Sequence, residues 1–238
     1  MRYLDLTLPT AAENLALDEA MLLEAEAGHS HDTLRTWHLE QPAVILGAGC
    51  SFLTDVKELA CAADAVPVLR RSSGGGTVLL GRGCLLFSLV LRYDFAPDLG
   101  EIGSSYEYIL TRLRDGLTLF HPAIERAGTS DLAVAGRKIS GNAQQRKRTH
   151  LLHHGSILFD FDLANMERYL RMPERQPKYR AGRDHVEFLM NLPATEAEIK
   201  HGLRAAWAAD EALHDWPRQR VGQLVAQKYS QPEWVRRR

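Results

Sequence analysis

Apolar residues recur at helical spacing in several stretches, each introduced by a start signal. Thr10 and Glu13 form a capping box ahead of Leu15, Leu17, Met21 and Leu22, which predicts a helix to about Gly28 with those side chains facing the core. Ser104 and Glu107 form a second box before Ile109, Leu110, Leu113, Leu117 and Phe120, with Pro122 just beyond the end. A third, Thr195 with Glu198, precedes Ile199, Leu203, Ala206 and Trp207. Shorter helices are expected over residues 54–64, from Asp162 to before Pro173, and over residues 218–228.

Strands fill the gaps. Residues 33–38 and 43–47 read as two strands joined by a turn at Glu40, Gln41 and Pro42. Residues 77–80 and 85–92 read as a hairpin about Gly81, Arg82 and Gly83, the second strand so continuously apolar that it belongs at the centre of a sheet. Residues 130–134 and 137–140 make another hairpin around Ala135 and Gly136, and residues 150–159 a further apolar strand. Helices and strands alternate irregularly. That order predicts an α+β, or mixed α/β, sandwich over a doubly wound parallel sheet, in one domain spanning residues 1–238.

Composition changes this picture little. The 238 residues are 45% apolar and 25% charged with a net charge of −1, so no global field argues for nucleic acid or a membrane surface. Three cysteines, Cys50, Cys61 and Cys84, show no CxxC spacing and suggest neither a disulfide framework nor a zinc knuckle. The acidic N-terminus lacks a signal peptide's apolar run, so a reduced cytoplasm is the expected location. Only six of the 29 basic residues are lysines, which makes a lysine inside a motif conspicuous.

Two segments carry candidate chemistry. Residues 66–78, VPVLRRSSGGGTV, end a β-branched run in Arg70 and Arg71, then Gly74, Gly75 and Gly76. Glycine amides can approach an anion closely, and arginine suits phosphate or carboxylate, although a flexible turn with two solvated arginines fits the segment equally well. The second segment, residues 130–144, reads SDLAVAGRKISGNAQ. Strand alternation predicts Lys138 and Ser140 on one face, Arg137 and Ile139 on the other. A lysine held there between Gly136 and Gly141 can deliver a point charge to a phosphate or carbonyl oxygen; taken alone, a solvated hairpin lysine is the simpler reading. Gly155 would let a ligand approach its strand. The paired His153 and His154 stand at no recognised metal spacing, so a structural or pocket-lining role is expected and no metal site.

Together these blocks acquire meaning. RRSSGGGTV, GRKISGNAQQRK and LLHHGSILFDFDL resemble the signature blocks of the lipoate–protein ligase family, and ENLALDEAML, LRTWHLEQPAVILG and KYSQPEW resemble its N-terminal helix, first hairpin and closing motif. The resemblance implies the fold shared by biotin ligases and lipoate-attaching enzymes, related to the class II synthetase core. It implies activation of lipoate with ATP and Mg2+ to lipoyl-adenylate, then transfer to a lysine of an apo lipoyl domain in a 2-oxoacid dehydrogenase or the glycine cleavage system. By matching positions, Arg71, Gly76, Thr77, Val78 and Leu79 would contact nucleotide and acyl-adenylate, and Lys138 would bridge the phosphate and acyl carbonyl oxygens. Arg70, Gly74, Gly75, Ser140, Gly141, His154 and Gly155 complete the expected binding set. Strands around residues 85–91 and 151–158 are expected to line the acyl slot.

The chain also departs from the family pattern. Leu79 and Leu80 occupy the region where a histidine is usual, and Cys84 stands where asparagine is common. Large ligases of the family continue into a C-terminal accessory domain, which is not expected here; a separate accessory protein is one way to supply it. Octanoyltransferases and amidotransferases of the same fold use a cysteine nucleophile and a carrier-borne acyl donor. One group places it upstream of the lysine motif, and residues 121–137 contain none; another places it before the histidine–glycine pair, where Leu151 and Leu152 stand. The motifs therefore favour a ligase over a transferase, over a non-catalytic lipoyl-carrier binding protein, and over biotin ligation.

Overall fold

The computed structural model describes all 238 residues and confirms a mixed α+β architecture. Its strands are β1 (Arg2–Asp5), β2 (Thr33–Trp37), β3 (Ala43–Leu46), β4 (Val68–Arg70), β5 (Val78–Leu80), β6 (Cys84–Arg92), β7 (Ile124–Ala127), β8 (Asp131–Val134), β9 (Arg137–Arg146), β10 (His150–Leu158) and β11 (Glu211–Ala212). Eight form one sheet in the order β11-β1-β2-β6-β10-β9-β8-β7, and three form a small second sheet, β4-β3-β5. No helix is long and apolar enough to cross a membrane.

The large sheet is buried on both faces. Along β6, Leu86 and Val90 join the core shared with helix Ala11–Glu26 and the small sheet. Leu85, Phe87, Leu89 and Leu91 join the core beneath helices Ile102–Leu117 and Glu196–Trp207. That two-sided burial is why β6 reads as an unbroken apolar run although its neighbours β2 and β10 are antiparallel to it. The capping boxes at Thr10 and Thr195 form as expected.

Four expectations are corrected. β2 and β3 lie in different sheets, so residues 40–42 carry the chain from one sheet to the other instead of closing a hairpin. β5 and β6 likewise do not pair; β5 joins β3, and Gly83, at φ +78°, presses so closely on the Asp160 backbone that a Cβ would lie 2.0 Å from its carbonyl oxygen. The Ser104–Glu107 box does not form, because the helix already begins at Ile102 and Ser104 Oγ donates back to Asp98 O at 2.7 Å. Residues 54–64 break into helices Phe52–Asp55 and Glu58–Ala63, since Val56 leaves the helix to bridge Leu170.

Candidate active site

The glycine segment connects β4 to β5 across the space between the two sheets. Arg71 folds back beneath it: Nη2 donates to Gly74 O (2.5 Å) and Gly76 O (2.9 Å), and Nε to Ser73 Oγ (3.0 Å). Burial pulls this guanidinium down to about 10. Arg71 therefore shapes the loop. Gly75 adopts φ +83°, and its carbonyl oxygen occupies the place where a Cβ on Gly47 would come within 2.0 Å. The N–H groups of Gly74, Gly75 and Gly76 donate to no backbone carbonyl, and open space lies beside Gly74 and Gly76. Such amides can cradle an oxyanion.

Arg70 does not join them. It is fully buried, donating to the carbonyls of Trp234 (3.1 Å), Val235 (2.7 Å), Gly47 (2.9 Å) and Cys50 (2.6 Å), while Trp234 Nε1 donates to Arg70 O at 2.8 Å. Its donors are spent on clamping the C-terminal segment, which corrects the expectation that it meets a ligand.

Lys138 is placed by a hairpin with an irregular register. Ala135 (φ 48°) and Gly136 (φ 70°) make the tight turn. Beyond it Ala133 pairs with Lys138 but Leu132 with Ser140, leaving Ile139 as the extra residue of a bulge. The predicted alternation is thereby broken. Ile139 enters the core under the helices, and Ser140, opposite Leu132 and Ile157 of that core, is held by Asn142 Nδ2 at 3.2 Å. Ile139, Ser140 and Gly141 still border the larger part of the cleft, but Lys138 brings the charge there: its Nζ meets Asp131 Oδ1 at 2.9 Å, and Tyr179 O–H donates to Asp131 Oδ2 at 2.7 Å. Gly141 makes this possible, because a Cβ there would lie 2.6 Å from Lys138 Nζ. At Gly155, which borders the smaller lobe, there is also no room for a side chain: Asn142 Oδ1 would lie 2.2 Å from a Cβ at that position, and Phe87 takes the rest of the space.

A buried polar chain supports the glycine loop from the sheet. Ser73 Oγ lies 2.5 Å from His154 Nε2, His154 Nδ1 lies 3.5 Å from Asp18 Oδ2, and Arg35 Nη1 donates to Asp18 Oδ1 at 2.6 Å. Burial alone would raise the Asp18 carboxyl, but Arg35 and His154 outweigh it and hold it below its ordinary value. His153 faces the opposite core, bonded to Gln144 and Asn142, and burial pushes it down to about 3. The histidine pair is thus split between the two faces of β10.

These elements enclose a two-lobed cavity. The larger lobe, about 760 Å³, is lined by Cys50, Thr54, Leu79, Arg171 and Arg238 among others. The smaller, about 330 Å³, is lined by Leu15, Trp37, Ile45, Leu80, Leu86 and Phe87, with Asp18 and His154. Gly75, Gly76, Thr77, Val78, Gly141 and Lys138 line both, so Lys138 stands at the junction. Of the expected acyl-slot strands, Leu86, Phe87, Gly155 and Ser156 line the smaller lobe, whereas Leu151 and Leu152 lie in the two cores. The arginine-rich stretch after Pro173 lines both lobes through Arg175 and Arg180.

Sequence reasoning missed Asp131, Tyr179, Asp18, Arg35 and Arg180. Asp131 was half within reach: the two-residue turn alone would set it opposite Ser140, and the extra residue at Ile139 moves it opposite Gly141. The others come from elements whose docking no local signal encodes.

The comparisons with known proteins meet this geometry. Residues 10–200 match the model of the lipoyl protein ligase A/B catalytic domain. The chain belongs to that family. Octanoyltransferase LipM of Symbiobacterium thermophilum is 29% identical over 272 aligned positions, covering 100% of this chain and 98% of that protein. Lipoate-protein ligase LplJ of Bacillus subtilis is 25% identical, covering 93% of this chain and 64% of that protein. Among solved structures, a bi-partite lipoate protein ligase from Thermoplasma acidophilum, described with its E2 lipoyl domain, superposes with a TM-score of 0.83 at 22% identity, covering 99% of this chain and 95% of that one. The fold and the lipoate-attachment family are therefore established, and relatives of this family chain include both octanoyltransferases and ligases.

Proposed function

We propose that the protein is a lipoate–protein ligase of the cytoplasm, which activates lipoate with ATP and transfers the lipoyl group to a lysine of an apo lipoyl domain. The acceptor belongs to a 2-oxoacid dehydrogenase acyltransferase subunit or to the H protein of the glycine cleavage system. The observation that carries this reading is Lys138 at the junction of two lobes, the smaller walled by Leu15, Trp37, Ile45, Leu80, Leu86 and Phe87 and the larger reaching Gly74, Arg171 and Arg238. The smaller lobe, with its wall of Leu15, Trp37, Leu80, Leu86 and Phe87, suits the acyl chain, and the larger lobe, about twice its volume and lined by Gly74 as well as Gly75 and Gly76, suits the nucleotide. The lipoate carboxylate attacks the α-phosphorus and pyrophosphate leaves; the acceptor amine then attacks the acyl carbonyl and AMP leaves. Negative charge builds first on the phosphoryl oxygens and then on the carbonyl oxygen, and one ammonium between them stabilises both transition states. Magnesium would shield the triphosphate. No cluster of three or more His, Cys, Asp or Glu side chains is arranged to hold a metal, so the residues fit an ion carried by the nucleotide.

Cys50 favours a second reading. Its thiol lines the larger lobe, with Sγ 3.3 Å from Gly75 O, and LipM of Symbiobacterium is similar to this chain along its whole length. Here a Cys50 thiolate would take an octanoyl group from a carrier thioester, releasing the carrier thiol, and pass it to the acceptor lysine.

Acyl attachment to an apo lipoyl domain, followed by mass spectrometry, tests both. Modification with ATP, Mg2+ and lipoate supports the ligase. Modification only with an octanoyl carrier protein, lost in Cys50→Ser, replaces it by the transferase, and modification under neither condition leaves a carrier-binding protein. Success with preformed lipoyl-adenylate but not with ATP would indicate a separate activating partner.

A further inference from the structure

Large apolar side chains left exposed are few, and half of them border one opening. Of the six, Leu53 (75%), Met172 (44%) and Val186 (41%) each adjoin in sequence a residue that lines the larger lobe: Thr54, Arg171 and His185. Two of these three belong to one ledge. Phe52 N–H donates to Arg238 O and Arg171 N–H to Asp55 O, both at 2.9 Å, and Val56 bridges Leu170 in antiparallel sense. Helix Phe52–Asp55, residues 170–173 and the C-terminal arginines are thereby tied to one another beside the lobe. Thr54, Arg171, Arg175 and Arg238 line it and are themselves exposed, so the lobe opens to solvent here. The ledge is also cationic, although the whole chain carries a net charge of −1. Arg171, Arg175 and Arg238 enter no ion pair, whereas Arg236 is matched by Glu58. The acids that line the lobe are Asp55, whose carboxylate is occupied by the hydroxyls of Thr54 and Thr77, and Glu174.

Arginines alone would suit a small anion inside the lobe. Leu53 and Met172 would not, because they lie outside its lining and their exposed surface meets only a partner too large to enter. Apolar side chains set among unpaired cations match a protein face that is apolar and acidic. We propose that this ledge docks the acceptor protein, and that the acceptor presents carboxylates beside the lysine to be acylated. This rests on the acyl-transfer reading above, in which a macromolecular amine must reach the carbonyl held at Lys138. An ammonium entering alone past Arg171, Arg175 and Lys138 meets a cationic entrance. Flanking carboxylates pair with the arginines and offset that repulsion, while contacts with Leu53 and Met172 hold the two faces in register.

Equilibrium binding of an apo lipoyl domain, followed by fluorescence anisotropy, reads docking without turnover. Leu53→Asp combined with Met172→Asp should weaken binding about tenfold or more, and Leu53→Lys with Met172→Lys clearly less, because only the first pair adds charge of the partner's sign. Both positions are exposed and outside the cavity, so melting temperature and octanoate affinity should match the unaltered protein and certify the fold. Replacing the carboxylates beside the acceptor lysine by amides should weaken binding and flatten its salt dependence. Unchanged binding in the aspartate pair overturns the assignment, and so does equal weakening by the aspartate and lysine pairs. A concentration-dependent dimer that Leu53→Asp abolishes, without binding of the domain, gives the ledge to a second copy instead. Domain binding that follows the expected pattern while ATP-dependent transfer fails would reject the ligase and keep the docking surface. Transfer at an unaltered KM for the domain in the aspartate pair would do the reverse.

Discussion

Lys138 Nζ stands 2.9 Å from Asp131 Oδ1, reaching diagonally across a hairpin whose register is shifted by one residue. The pair makes removal of either charge informative. Lys138→Met should cut acyl transfer by about a hundredfold or more, as loss of one preorganised transition-state contact does, and it should also lower stability because a largely buried carboxylate keeps the Tyr179 hydroxyl but loses its counter-charge. Adding Asp131→Asn should restore most of the stability and none of the activity. Thermal melts and single-turnover transfer on the single and double variants provide the check. Equal activity in the double variant and the unaltered protein would remove Lys138 from the mechanism.

Gly141→Ala tests the same side chain without touching its charge. The new methyl would meet Lys138 Nζ at 2.6 Å and push it off Asp131. Transfer should fall nearly as far as in Lys138→Met, whereas the melting temperature should move by only a few degrees, since the end of a flexible side chain can give way.

The clamp at Arg70 predicts the opposite pattern. Arg70→Lys keeps a cation but cannot reach the carbonyls of Trp234, Val235, Gly47 and Cys50 together. Stability should drop by about 2–4 kcal/mol, the cost of leaving several buried acceptors unpaired. Protease nicking should begin in the C-terminal segment, with nucleotide affinity reduced far less than stability. A tenfold loss of affinity at unchanged stability would return Arg70 to the binding set.

Acid lability should trace partly to His153. Its ordinary value is 6.5 and burial holds it to about 3 in the folded state, so the unfolded chain takes up a proton that the native protein refuses. Stability from this group is complete above about pH 6.5 and declines as pH falls toward 3. By pH 5 the loss should reach roughly 2 kcal/mol. Urea melts at pH 7.5 and 5 should show a smaller difference for His153→Gln, whose side chain carries no titrating proton.

How much of this was legible in the sequence depends on the range of the interaction. The caps at Thr10 and Thr195 and the turn at Ala135 and Gly136 are set within four residues, and the chain spells them out. Pairing of β5 with β3 instead of β6, and the close approach of Gly83 to Asp160, both join residues far apart in sequence. Arg70 and Arg71 are adjacent and chemically identical, yet one holds the C-terminal segment and the other the glycine loop. Nothing local distinguishes them. Lys138 was readable because its surrounding motif resembles a known family's, whereas Arg180, in the stretch after Pro173, reaches the two lobes through docking that no local signal encodes.

The extra residue at Ile139 reverses the parity of its strand once, near its start. A strand of unbroken alternation that held Asn142 and Gln144 against His153 would have delivered position 138 into the same dry layer, where an ammonium could not stay ionised cheaply. With one phase reversal, a single ribbon of backbone serves an apolar interior at one end and a polar cleft at the other. The rigidity of that interior is thereby lent to the charge in the cleft.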